Sequence, residues 1–113
     1  MYLVQTKISL EKLNGLAKSI FGNLVKAVVD IDKEIMVVGG ELHADAEALL
    51  LQKGSKQQNI WGINLYPEIK DINWIEFDSM INLRPSQNNF SRGVEDKDIQ
   101  RKIAGVVNKL VKR

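Results

Sequence analysis

Between Trp74 and Arg84 the chain alternates without a break between two sets of side chains. Ile75, Phe77, Ser79, Ile81 and Leu83 hold the odd positions, and Trp74, Glu76, Asp78, Met80, Asn82 and Arg84 the even ones. Successive strand residues point to opposite faces, so an extended chain here separates a mostly apolar face from one carrying two carboxylates, an amide and a guanidinium. Such a segment demands a sheet with a core under one face, and the core fixes its register, because a slip of one residue exchanges the faces. The segment predicts Phe77, Ile81 and Leu83 buried with Leu16, Ile20, Ile103 and Val107. The polar loop that follows, Pro85–Gly93, is of the kind that carries binding groups on a rigid scaffold.

The flanking sequence supplies the rest of the scaffold. Met1–Ile8 reads as a short strand or a loose arm. Ser9 is a helix N-cap, and Leu13, Leu16, Ala17, Ile20 and Phe21 behind it form an amphipathic stripe closed by Gly22. Leu24–Ile31 reads as a strand, Asp32-Lys33 as a tight turn and Glu34–Val38 as a central return strand, apolar on both faces. Gly39-Gly40 bends or bulges the chain. Asp45 caps a short helix running to about Lys53, with Leu49 and Leu50 as its buried contacts. Ile60–Tyr66 is a third strand with Trp61, Ile63 and Leu65 facing inward, and Pro67 ends it. Asp96 caps a last helix with the stripe Ile99, Ile103, Val106, Val107 and Leu110. The order α-β-β-α-β-β-α with short connections predicts an α+β fold, in which a four-stranded, mostly antiparallel sheet carries helices mainly on one face.

A chain of 113 residues, 44% of them hydrophobic, can bury a core as a single domain over 1–113 without metal or disulfide. A net charge of +2 is too small to point to nucleic acid. The basic residues Arg101, Lys102, Lys109, Lys112 and Arg113 gather where they complement a helix C-terminus. With no cysteine, disulfides, thiolate zinc sites and a cysteine nucleophile are excluded, and a reducing cytoplasm is the expected location. No apolar run reaches the roughly 20 residues of a membrane span, and Lys7 follows the short apolar start where a signal peptide would put its charge first.

Three constellations could carry chemistry. Glu41, His43, Asp45 and Glu47 cluster beside the Gly-Gly bend and could supply a general base or bind a cation, although no metal motif is present. The bland reading makes Asp45 a cap, Glu47 a first-turn carboxylate and His43 a half-buried hydrogen-bonding group, and it is the preferred one. Glu76 and Asp78, about 6 to 7 Å apart on a strand, share a face with Asn82, Arg84, Asn64, Tyr66, Trp74 and Met80. This half-polar, half-aromatic face reads first as a homo-oligomer interface, second as a solvated face and third as a catalytic site. Asn64, Asn82, Arg84, Gln87 and Arg92 could bind a small anion through arginine forks, an idea that Glu95 and Asp96 at the neighbouring helix start oppose. The lead expectation is a binding or oligomerisation module with no cofactor named by the sequence. The alternative is a small metal-dependent or acid–base hydrolase using His43 with Glu41, Asp45 and Asp78.

Gly-Gly-Glu-Leu-His-Ala-Asp at 39–45, Gly-Ser-Lys-Gln at 54–57, Trp-Gly-Ile-Asn-Leu-Tyr-Pro at 61–67, Phe-Asp-Ser-Met-Ile-Asn-Leu-Arg-Pro at 77–85 and Ser-Arg-Gly-Val-Glu-Asp at 91–96 together resemble a family of small prokaryotic proteins of unknown function. The resemblance spans most of the chain. It implies a bacterial or archaeal cytoplasmic protein and brings no activity or functional residue with it.

Overall fold

The computed structural model describes residues 1–113. The chain runs β1 (Tyr2–Val4), β2 (Ile8–Ser9), α1 (Leu10–Ile20), β3 (Val25–Asp30), β4 (Ile35–Val38), α2 (His43–Gln52), β5 (Ile60–Leu65), β6 (Ile75–Glu76), α3 (Lys97–Leu110) and β7 (Val111–Lys112). Single 3-10 turns occupy Gln57–Asn59, Ile72–Trp74, Met80–Asn82 and Pro85–Gln87. The main sheet has the order β1-β4-β3-β5-β6 with every pair antiparallel. β2 and β7 form a separate two-stranded parallel ladder. The fold is therefore α+β, with five strands in the main sheet rather than four. The fifth is β1, three residues that the sequence leaves undecided between strand and arm.

β3 is the centre, and its alternation assigns the two faces. Val25, Ala27 and Val29 join the larger core with Leu13 and Ala17 of α1 and Ile103, Val106, Val107 and Leu110 of α3. Val28 joins Val37, Ile60, Ala46 and Leu50 in a smaller core under α2. Two helices thus cover one face, as the periodicity implies, and α2 covers the other. The caps read from sequence are in place at α1 and α3: Ser9 Oγ accepts from Lys12 N at 3.0 Å, and Asp96 Oδ1 accepts from Asp98 N and Ile99 N. At α2 the helix begins at His43, three residues before the start that an Asp45 cap would give. Leu42 stands at the cap with no side-chain hydrogen bond, and Asp45 lies in the first turn.

The expected strand over Trp74–Leu83 is reduced to two residues. Asp71 accepts from Asn73 N and closes a 3-10 turn into Trp74. Only Ile75 and Glu76 then pair with β5. Ser79 Oγ accepts from Ile81 N and starts the next 3-10 turn. Tight turns at both ends destroy the two-residue period, so the two faces do not survive. Trp74 is 3% exposed, in the larger core. Phe77 packs beside that core and Ile81 beside the smaller one, while Leu83 and Ile20 are exposed. With Trp74 buried, Tyr66, Trp74 and Met80 do not share an outer face, and the interface expected there loses its aromatic anchor. No helix is long and apolar enough to cross a membrane.

Gly40 has φ +82° at the bend after β4, and a Cβ there would stand 2.8 Å from Met1 Cγ. A β-branched residue resists that conformation. Gly40→Val is expected to destabilise the protein by more than about 1 kcal/mol, read as a lower urea midpoint; an unchanged midpoint would contradict the assignment.

Candidate functional site

β5 has an outer edge that β6 only partly covers. Asn64 and Leu65 lie opposite Glu76 and Ile75, which leaves residues 60–63 without a partner strand. Side chains from the following segment take its place. Asn82 Oδ1 accepts from Gly62 N at 2.8 Å, and Asn82 Nδ2 donates to Gly62 O at 2.9 Å and to Arg92 O at 3.0 Å. The amide side chain thus imitates a strand peptide. Gly62 is required by closeness of approach: a Cβ would lie 2.6 Å from Ser79 Cβ and Oγ. Two residues along, Arg84 Nη2 donates to Ile60 O at 2.5 Å. Arg84 also donates to Ile81 O, Gln57 O and Gln87 Oε1. Its guanidinium lies 4.6 Å from the Trp61 ring centre and 3.8 Å from Glu47 Oε2. Asn89 Nδ2 donates to the carbonyls of Asn82, Ser91 and Gly93, and its Oδ1 accepts from Glu95 N, which folds the loop onto itself.

Most of the residues expected to bind a ligand are therefore turned inward. Asn82 is 0% and Arg84 7% exposed. Burial lowers the Arg84 pKa, against the pull of Glu47. Gln87 spends its amide on Gln58 O and Arg84. Asn64 Nδ2 donates to Glu76 Oε1 at 2.9 Å and to Asp78 O at 3.3 Å. Tyr66 donates its hydroxyl to the same Glu76 oxygen; partial burial and then that carboxylate raise the phenol pKa. The start of α3 is occupied by its own caps, and Glu95 accepts from Phe90 N.

Arg84 and Gln87 also line a shallow cavity with Gln57 and Gln58, and a second cleft, of about 210 Å³, opens at the start of α2, lined by Lys26, Leu42, His43, Ala44, Ser79, Met80, Ile81 and Arg92. His43 is 8% exposed. Its Nε2 lies 2.8 Å from Ile63 O; a carbonyl only accepts, so Nε2 carries the proton. Nδ1 has no partner in the chain and is not sealed from solvent. Burial lowers the imidazole pKa below its usual 6.5. The Ile63 carbonyl opposes that shift, Lys26 and Arg92 reinforce it, and Asp78 opposes it. The ring is neutral at pH 7. Because the folded-state pKa is the lower one, this group costs stability as pH falls through and below the unfolded value.

Asp78, the neighbour foreseen for His43, is half-exposed and gives both oxygens to Arg92, at 2.9 Å from Nε and 3.3 Å from Nη2. Glu41 and Asp45 are exposed, Glu47 turns to Arg84, and no three His, Asp or Glu side chains come together in a way that could hold a metal ion. His43 and Arg92 thus line one cleft, Asp78 acts on the imidazole at a distance while paired to Arg92, and Glu41 and Asp45 stay outside the lining. Lys26 and Ser79 were not singled out from the sequence. Lys26 had a signal: it is the one charge between apolar residues in Val25–Val29.

The family model described as "Protein of unknown function (DUF5674)" matches residues 2–110. The chain belongs to this family. No curated protein and no solved structure matches it. Membership in DUF5674 carries no assigned chemistry, so the reading of the cleft rests on its geometry.

The imitation of a strand peptide has a sharp consequence. An Asn82→Asp side chain can still accept from Gly62 N but turns an oxygen toward the Gly62 and Arg92 carbonyls. Each buried group left unpaired costs about 1–3 kcal/mol, so the variant is expected to lose about 3 kcal/mol or more at pH 7. Burial against carbonyls raises that carboxyl's pKa, so the deficit relative to wild type shrinks as pH falls toward 4 and the protonated acid can donate again. Urea unfolding of both proteins at the two pH values checks this; a deficit independent of pH would refute it.

Proposed function

We propose that the protein is a binding module for a small anion-bearing molecule, held at the start of α2. One observation carries the reading: an uncapped helix N-terminus opens onto a cleft that also receives Lys26, Arg92 and the unpartnered Nδ1 of His43. The amides of His43 and Ala44 find no acceptor in the chain, whereas Asp45 N donates back to Leu42 O. Free N–H groups and the helix dipole together favour an anionic group. Lys26 adds a full charge, and Ser79 a hydroxyl proton that no acceptor in the chain receives. Leu42 and Met80 on the rim, 59% and 64% exposed, suit an apolar remainder of the ligand. Asp78, paired with Arg92, counteracts the positive field, which favours a compact anion over an extended polyanion such as nucleic acid. A chain without cysteine suits a reducing compartment, and the cytoplasm is the location this reading takes.

Titration with inorganic phosphate, followed by amide resonances, is expected to shift residues 42–45 and 79–81 first. Lys26→Ala is expected to weaken binding about tenfold or more, the equivalent of about 1.4 kcal/mol. A wild-type protein whose amides at 42–45 do not move at millimolar phosphate sinks the anion site.

The exposed Leu42 and Met80 favour a second reading for the same rim, association with another copy of the chain. The patch now proposed differs from the sheet face expected from the sequence, since Trp74 takes no part. Met80→Asp would set an unpaired charge at its centre and is expected to weaken such a dimer by about 2 kcal/mol or more. Light scattering decides: a wild type that is monomeric at high micromolar concentration removes this reading and leaves the anion site untouched.

A further inference from the structure

The imidazole in the cleft is fixed in a way that creates a problem for an anion. Its Nε2–H is committed to Ile63 O at 2.8 Å, so the ring cannot rotate to offer that proton to a ligand. The atom left over, Nδ1, presents a lone pair when the ring is neutral. A lone pair facing an oxyanion is repulsive. The other charged groups around the ring do not remove the conflict. Lys26, on β3, is the free cation, its ammonium held 5.3 Å from the Phe21 ring centre. Arg92, on the loop after β6, has Nε and Nη2 engaged by Asp78. Asp78 itself is negative, and Glu41 and Asp45 next to His43 in the chain are exposed carboxylates. The charged groups named carry no net positive charge between them, and a dianion meets one unpaired cation, the helix N–H groups and a basic nitrogen.

We propose that the cleft takes up a proton together with its anion, the proton passing from solvent to Nδ1 of His43 and turning the lone pair into an N–H that donates to the oxyanion. The proposal rests on the anion-binding reading above. No other bond forms or breaks: imidazole becomes imidazolium, and the deprotonated partner is buffer or water. The ligand class this selects is a compact oxyanion, such as a phosphate, sulfate or carboxylate group, and its affinity is set by pH. In the free protein burial and the two cations hold the ring neutral; an anion beside Nδ1 reverses the balance by adding an opposite charge and a hydrogen bond to the charged form. Between the free-state and bound-state pKa values, affinity falls about tenfold for each unit of rising pH; below the free-state value it is flat. A gate of this kind makes an acidified medium load the cleft and an alkaline one empty it.

His43 is the sole histidine of the chain, so its ring resonances report this group and nothing else. The test is a pH titration of those resonances in the full-length wild type, with and without inorganic sulfate, which does not itself titrate near neutrality. Calorimetry of sulfate binding in two buffers of different ionisation enthalpy counts the protons taken up. The expected result is a His43 pKa raised by at least about one unit, corresponding to the tenfold effect, with net proton uptake in the window between the two values. Lys26→Ala should raise the sulfate concentration needed for the shift about tenfold or more. His43→Gln keeps a side-chain N–H for Ile63 O and cannot titrate; it should bind sulfate with the weak, pH-independent affinity of the wild type at high pH. Sulfate that binds and moves the amides of 42–45 while the His43 pKa stays fixed and no proton is taken up overturns the coupling and leaves the anion site standing. Sulfate that shifts neither the amides nor the ring at any pH overturns both.

Discussion

The pairing of the Asn82 side chain with the Gly62 main chain is the interaction on which the rest of the structure leans. An edge strand exposes a row of unpaired N–H and C=O groups. On β5 that row comprises residues 60, 62 and 64, and three different side chains or segments meet it. Arg84 takes the Ile60 carbonyl, the Asn82 amide takes both Gly62 groups, and Glu76 lies opposite Asn64. An amide can satisfy a donor and an acceptor on one residue, which a hydroxyl or a carboxylate cannot do in this geometry. Because Asn82 also holds Arg92 O, which Ser79 N reaches at 2.9 Å, the two ends of the loop are tied at one point. That knot carries Ser79 and Arg92 to the rim of the cleft.

The opposite wall of the cleft is positioned by how α2 is docked. Its C-terminal end is held through Asp30, a buried carboxylate that accepts from Ser55 Oγ at 2.6 Å and from the amides of Asp32 and Lys33 in the turn after β3. Its middle is held by Glu47 beside Arg84, and its start by His43 on Ile63 O. Leu50 and Ala46 fill the apolar space between. A helix fastened at three polar points along its length has little freedom to rotate. The tautomer and orientation of the imidazole follow from that docking, in the way that outer hydrogen bonds orient a ligating histidine.

The sequence made the helices legible because their signals are local. Ser9 and Asp96 supply oxygens to amides two or three residues on, and the apolar stripes of α1 and α3 need only the helical period to be recognised. The strand read over Trp74–Leu83 failed for a reason that no local pattern contains. Alternation describes which side chains would part if the backbone were extended; whether it extends depends on a partner, and β5 offers β6 two residues before the Asn82 side chain replaces the strand. β1 was hidden for the complementary reason: three residues gain their strand character only from β4, more than thirty positions away. The site residues divide along the same line. Asn82, Arg84 and Asn64 look like ligand-binding residues because amides and guanidinium groups recognise peptides, anions and carboxylates alike. Here the partners are the chain's own carbonyls and a carboxylate. His43 was noticed among carboxylates that turn elsewhere. Lys26, a lone cation in an apolar strand, was a visible anomaly whose partner group could be found only in three dimensions.

Buried polar groups in a folded protein are nearly all satisfied, so the ones that are not have weight as indicators of function. Glu47 Oε2, Trp61 Nε1 and Asn64 Oδ1 lack hydrogen-bond partners and are sealed from solvent; a ligand could reach none of them without rearranging the β5 edge or the loop packed on it. They are costs of packing. The leftover groups at the start of α2 differ in that they belong to residues lining a cleft: two helix amides, the Ser79 hydroxyl proton and His43 Nδ1 sit with Lys26 around one small opening. They come from three separated parts of the chain, and each is held by a bond on its other side. Ser79 is pinned by Ile81 N and Arg92 O, and His43 by Ile63 O. Donors arranged in advance and fixed from behind lose little freedom on meeting a ligand, which is the condition for binding a small group that offers few contacts. Saturation of the main chain along the β5 edge and the free donors at the α2 start are thus two halves of one arrangement, in which the first supplies the rigidity that the second requires.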